Sequence, residues 1–235
     1  MRVLGLGFGL LLVAAAMCAP ATLPSLAICV AIKDQAADVR EWIIYHHALG
    51  VQKFYIWDTG SVPPLLVALY DRCLRRWGNA HTFMAFIDTD EFMVLRDGTP
   101  DLPTLVMQLK DYVGHGGLVI NWEVFGSGGL QLRPKGNAMM SYWRCSPRNH
   151  PVNTRHEPVP GPKSRTPVQE RWALYHYAIK SVDDFQQKMM RGSGMGNVKT
   201  LAYLQYVDNF TDARCPDALD MGLQLNNLMG LQGAL

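Results

Sequence analysis

A strand–helix–strand alternation near the front of the chain constrains its fold most. Leu26–Ile32 is a continuous apolar run with β-branched residues, the pattern of a short strand buried on both faces. It stops at Lys33-Asp34. Residues 36–49 place Val39, Trp42, Ile43 and Ala48 mostly on one face, which predicts a helix, and Gly50 ends it. A second strand follows over 51–57, closed by Asp58-Thr59-Gly60-Ser61. Joins this tight make a βαβ unit, and two strands joined that way lie parallel. The expected fold class is therefore α/β.

The alternation continues. Residues 63–76 read as a helix that opens with prolines, where a first turn tolerates them. Residues 82–87 read as a strand running into Asp88-Thr89-Asp90-Glu91, and strand resumes over 92–95. A helix is expected over 102–113 and a strand over 117–122. Residues 146–169 hold six prolines and few apolar side chains, which predicts a loop or lid. Ser181-Val182-Asp183-Asp184 reads as a capping box opening a helix to about Met190. A Gly-rich joint at 191–196 and a helix at 198–207 follow, and the tail from 218 shows no firm period. The expected organisation is a domain over 24–196 with a helical extension over 197–235.

Composition narrows the function classes. The chain of 235 residues is long enough for one well-cored domain. Its net charge of +2 and 18% charged residues exclude the strongly basic balance of a nucleic-acid binder. They equally exclude an acidic disordered chain. Five cysteines without a C-x-x-C pair suggest neither a disulfide scaffold nor a zinc site. Residues 1–19 carry one charge, Arg2, and 3–16 are apolar or Gly. That predicts a secretory signal peptide or a short signal-anchor that would tether the chain to a membrane. Once Cys18 is removed, Cys29, Cys73, Cys145 and Cys215 remain. Cys29, inside an apolar run, reads as a buried small hydrophobe rather than a disulfide partner.

The sharpest chemical feature is Phe86-Ile87-Asp88-Thr89-Asp90-Glu91-Phe92. Residues i and i+2 of an extended chain point the same way, so Asp88 and Asp90 can face one site. Such a pair suits Mg²⁺ or Mn²⁺ held together with phosphates, although an acidic turn that only solvates its tip has the same spelling. Two enzyme classes fit: a nucleotide-sugar transferase with an Asp-x-Asp metal site, and a phosphatase of the haloacid-dehalogenase kind. The second fits less well. It expects Thr or Val where Phe92 stands and its motif near the start of the domain, whereas two strands precede it here.

Other segments favour the first class. Ala27-Ile28-Cys29-Val30-Ala31-Ile32-Lys33-Asp34, Val39-Arg40-Glu41-Trp42, His46 and Phe54-Tyr55-Ile56-Trp57-Asp58-Thr59-Gly60-Ser61 resemble the opening of glycosyltransferase family 92. The likeness continues through Ala85 to Phe92, Asn121-Trp122-Glu123-Val124-Phe125-Gly126-Ser127-Gly128-Gly129 and Val152-Asn153-Thr154-Arg155. It runs on into His176-Tyr177-Ala178-Ile179-Lys180-Ser181, with Phe185, Lys188 and Arg191-Gly192. The stretch between Ser61 and Phe83 is shorter than in that family.

The resemblance implies a GT-A type fold, a Rossmann-like nucleotide-sugar-binding sheet flanked by helices. It implies transfer of a sugar, often galactose from UDP-galactose, with inversion onto a glycan hydroxyl in the Golgi. By position, Asp88 and Asp90 would hold Mn²⁺ (or Mg²⁺), with His176 a further metal candidate. Lys33, Asp58, Ser61 and Asp88 would meet the nucleotide. Glu123 and Glu91 are the candidate bases for the acceptor hydroxyl. The shortened middle keeps a second expectation open: a catalytically silent, secreted sugar-binding or structural remnant.

Overall fold

The computed structural model describes residues 24–58, 60, 66–108, 120–154, 171–192 and 198–230. Ser61, the leader or anchor expected at 1–19, the end of the helix expected to 113 and most of the proline-rich segment lie outside them. Within them the chain is mixed α/β, as the alternation implies. In order it runs β1 (Leu26–Ile32), α1 (Ala36–Ala48), β2 (Lys53–Asp58), α2 (Leu66–Trp77), β3 (Phe83–Phe86), β4 (Glu91–Leu95) and α3 (Leu102–Gln108). Then come β5 (Trp122–Val124), α4 (Ala138–Ser141), β6 (Arg144–Cys145), β7 (Trp172–His176), α5 (Val182–Arg191), α6 (Leu201–Phe210), β8 (Ala213–Arg214) and α7 (Pro216–Leu228).

The first sheet has the order β2-β1-β3, with both pairs parallel. β1 is central, and residues 26–30 are buried, which is what its unbroken apolar run requires. The second sheet has the order β4-β7-β5, with β4 antiparallel and β5 parallel to β7. β6 and β8 form a small antiparallel pair.

Helix α1 joins the two larger sheets. Trp42 Nε1 donates to the Glu91 carbonyl at 2.8 Å and the Tyr45 hydroxyl to the Met93 carbonyl at 2.9 Å. His46 is fully buried; its Nε2 accepts from the Met93 amide at 3.2 Å and its Nδ1 lies 2.9 Å from the Trp42 carbonyl. Those partners assign the proton to Nδ1. Burial holds the ring neutral, pushing it down to about 3. His46 is thus structural, as its place within a helix suggests.

Several expectations are corrected. Cys29 is not a free buried thiol: it forms a disulfide with Cys73, tying β1 to α2 with a Cα–Cα distance of 6.6 Å. Cys73 sits on the buried side of α2, pressed against β1, a juxtaposition no local pattern reveals. Cys145 and Cys215 form a second disulfide, with Cα atoms 6.0 Å apart. Of the strand expected over 117–122, residues 117–119 lie outside the described residues; residues 120 and 121 precede β5, which begins at Trp122, where pairing with β7 sets its register from Trp122↔Leu174. The tail folds into α7, opened by Pro216 at its first turn.

α6 and α7 pack into the body. Ala218 and Leu225 belong to the main core, and Asn137 Nδ2 donates to Gly222 O at 2.7 Å and to Asn226 Oδ1 at 2.8 Å. Among the described residues no helix is long and apolar enough to cross a membrane.

Candidate active site

The carboxyl ends of three parallel strands meet at one edge. Ile32 is paired with Asp58 there, Lys33 and Asp34 follow β1, and Asp88 follows β3. The chain leaves β1 toward β2 on one side, while β3 is laid on the other. The topological switch point therefore lies between β1 and β3, where open α/β sheets bind ligands. Lys33 Nζ donates to the Arg191 carbonyl at 3.0 Å, which brings the end of α5 over this edge. Exposed Asp58 accepts from the Gly60 amide at 3.1 Å, closing the turn after β2.

A small cavity of about 50 Å³ opens at that switch point, lined among others by Asp34, Asp90, Arg133, Lys180, Lys188 and Arg191. Asp34 (φ 51°) and Lys180 (φ 55°) both line it. They are the two non-glycine residues held in left-handed backbone among those described. Such strain persists where surrounding structure enforces it, and it clusters at functional sites. Lys180 is buried and pairs with Asp38 at 2.6 Å; Arg133 also pairs with Asp38, and lies 3.6 Å from Asp184.

Asp88-Thr89-Asp90-Glu91 forms a turn that enters β4. The Glu91 amide donates to the Asp88 carbonyl at 3.1 Å, and the Asp88 amide donates back to Glu91 Oε2 at 2.8 Å. Trp122 Nε1 donates to Glu91 Oε1 at 2.8 Å. Burial, and then the charges of Asp88 and Asp90, push the Glu91 carboxyl well above the usual carboxylate range. Asp90 is ion-paired with Lys188. Burial alone would raise Asp90, but Lys188, with His176 and Lys199 behind it, holds it well below its usual range.

His176 lies directly across the ladder from Glu91, its ring 4.6 Å from that of Trp122. Its buried Nδ1 has no hydrogen-bond partner among the described residues. Burial pulls it down to about 4 against the attraction of Asp90, so it is neutral at pH 7 and able to ligate. Lys199 stands beside Lys188; burial, then that neighbouring charge, lowers it to about 8.

Asp88, Asp90, Glu91 and His176 thus share a corner with the ends of β1 and β2. The ligand atoms of Asp88, Asp90 and His176 do not all converge within 4.8 Å. By donor type the set still suits a hard divalent cation. The Lys188 ammonium already seats a positive charge on Asp90.

Glu123 lies elsewhere. It pairs with Tyr175 in the ladder whereas Glu91 pairs with His176, so the two carboxyls project from opposite faces of the second sheet. Buried Glu123 is ion-paired with Arg96 beside a cavity of about 120 Å³. Its oxygen also approaches Cys145 and Cys215, but their sulfurs are joined to each other and offer no thiolate. Gly126 is pressed against the end of α6: a Cβ there would collide with Thr211, which caps that helix, and would lie 2.9 Å from Asp208 Oδ1. Ser127 next to it donates from both its amide and hydroxyl to Asp208 at 2.7 Å. Sequence reasoning gave no role to Lys188, Lys199, Arg133 or Asp38. For Lys188 and Lys199 the available signal was the basic residues Lys188, Arg191 and Lys199 in and after the helix that follows His176; Arg133 and Asp38 had none.

Comparison with known proteins agrees with the motifs. The chain is 28% identical over 112 residues to a glycosyltransferase family 92 protein of Oryza sativa subsp. japonica, covering 37% of this chain and 18% of the relative. Two further matches, each a glycosyltransferase family 92 protein of Ricinus communis, are 24% identical over 139 residues and 28% identical over 148. They cover 49% and 50% of this chain, and 25% and 26% of the relatives. The chain is similar to glycosyltransferase family 92 proteins over half its length or less, and it spans about a quarter or less of the length of the relatives it matches. No family model matches the chain. No solved structure matches it either.

Proposed function

We propose that this α/β body is the nucleotide-sugar-binding part of a GT-A type glycosyltransferase. It moves a sugar, galactose from UDP-galactose in the first instance, onto a glycan hydroxyl with inversion. One observation carries the reading. The switch point of a parallel sheet gathers Lys33, Asp58, Asp88 and Asp90 at one edge, with His176 and a group of lysines beside Asp90. The expected cofactor is Mn²⁺ or Mg²⁺, held by Asp88, Asp90 and His176. When bound, it supplies charge neutralisation for the departing UDP.

The chain's own groups do the rest. Asp58 and Lys33 lie where a nucleoside would rest on the strand ends. Lys188, Lys199 and Arg191 supply positive charge for a diphosphate. Glu91 is the carboxyl in reach of that corner. Each of its oxygens accepts one hydrogen bond and keeps a lone pair for the acceptor hydroxyl, which is the position a general base needs. Glu123, on the other face, is not in reach. The two disulfides fit an oxidising compartment. The Golgi membrane is the first assignment and a secreted or lumenal form the second.

The test is UDP release from UDP-galactose by the full chain with and without Mn²⁺, beside Asp90→Ala. Mn²⁺-dependent release lost in the variant is the expected result. Binding of UDP without any release would instead favour the silent sugar-binding remnant.

A further inference from the structure

Lys188 joins the acidic turn at Asp90 to the cavity at the switch point. It reaches back from α5, two turns beyond the capping box at Ser181, to pair with Asp90 across 98 positions of sequence. Its amine also donates to the Ala178 carbonyl at 2.9 Å. The side chain of Lys188 is 16% exposed and that of Asp90 is 13% exposed, so the pair is held in place rather than waving in solvent. Lys188 lines the same cavity as Asp34, Lys180 and Arg191 at the switch point. An ammonium on Asp90 and a divalent cation on Asp90 exclude each other, by repulsion and by competition for the same oxygens. A diphosphate entering that cavity offers the amine another anion, of higher charge.

We infer that Lys188 is an exchangeable latch: in the free protein it occupies Asp90, and it moves to the diphosphate of a nucleoside diphosphate when that ligand enters, releasing Asp90 to take the metal. This rests on the nucleotide-sugar reading above. Lys188 is a positioning residue that makes metal binding conditional on the nucleotide. Linkage makes the effect reciprocal: metal and nucleotide raise each other's affinity by one shared factor. Removing the amine has two opposite consequences. The free protein takes metal more tightly, and the diphosphate loses a cation.

The experiment is calorimetric titration of Mn²⁺ into the full chain, with and without saturating UDP, for the wild type and Lys188→Met. For the wild type, Mn²⁺ is expected to bind at least about tenfold more tightly with UDP present. For Lys188→Met, Mn²⁺ affinity without UDP is expected to rise by about tenfold, and the gain from UDP to shrink. Lys188→Gln, which keeps a neutral donor to Asp90, serves the same comparison if the Met variant does not fold. Unchanged or weaker Mn²⁺ binding by the UDP-free variant overturns the latch and leaves the nucleotide-sugar reading standing. A wild type that binds neither UDP nor Mn²⁺ overturns that reading, and the latch with it.

Discussion

Glu41 is a carboxyl with little access to solvent, 4% exposed, and burial pushes it from its ordinary 4.5 up to about 7. Its raised folded-state value sets the sign of its effect on stability. The native protein binds this proton more tightly than the unfolded chain does. The contribution is complete below pH 4.5 and is lost as pH rises through 7. The full loss is on the order of 3 kcal/mol. Glu41→Gln can still accept from the Ala138 amide, which Glu41 does at 3.1 Å. Urea midpoints at pH 5 and pH 8 should therefore differ less in the variant than in the wild type. Gly126→Ala should lower stability by about 1–3 kcal/mol, because α6 must back away from the new methyl. A denaturation midpoint equal to wild type would refute that close packing. The acidic turn carrying Asp88 and Asp90 was legible in the sequence because its spacing is local. Lys188 was not, because its partner stands 98 residues away.

At the scale of elements, α5 is the part whose ends matter most. Ser181 Oγ accepts from the Asp184 amide at 3.1 Å and donates to Asp184 Oδ2 at 2.7 Å, the capping box its spelling announces. Ser181→Ala should cost about 1 kcal/mol. Since the same helix carries Lys188 and Arg191, UDP affinity should fall with it. A stability loss with unchanged UDP binding would separate the cap from the site. Local periodicity made β1, α1 and β2 readable. The extent of β5 over Trp122–Val124 was not readable because three residues carry too little pattern, and its start is fixed by pairing with β7. The same long-range register decides that Glu91 and Glu123 face apart. No amount of local reading separates two glutamates on different strands.

At the scale of the whole molecule, the chain is bound together by contacts distant in sequence. One disulfide spans 44 residues and the other 70. Replacing Cys145 and Cys215 together with Ser should lower stability by about 2–4 kcal/mol. The pair fastens β6 to the start of α7, so the loss should appear as earlier proteolysis within 198–230. Cleavage there at the wild-type rate would contradict it. The sheet edge formed by Lys33, Asp58, Asp88 and Asp90 is the feature on which the functional account rests. Hydrogen exchange of the full chain with UDP and Mn²⁺ present tests it directly. Slowed exchange is expected at 33–38, 88–92 and 182–192, and none near Arg96 and Glu123. Protection confined to the Arg96–Glu123 face, or absent throughout, would contradict it.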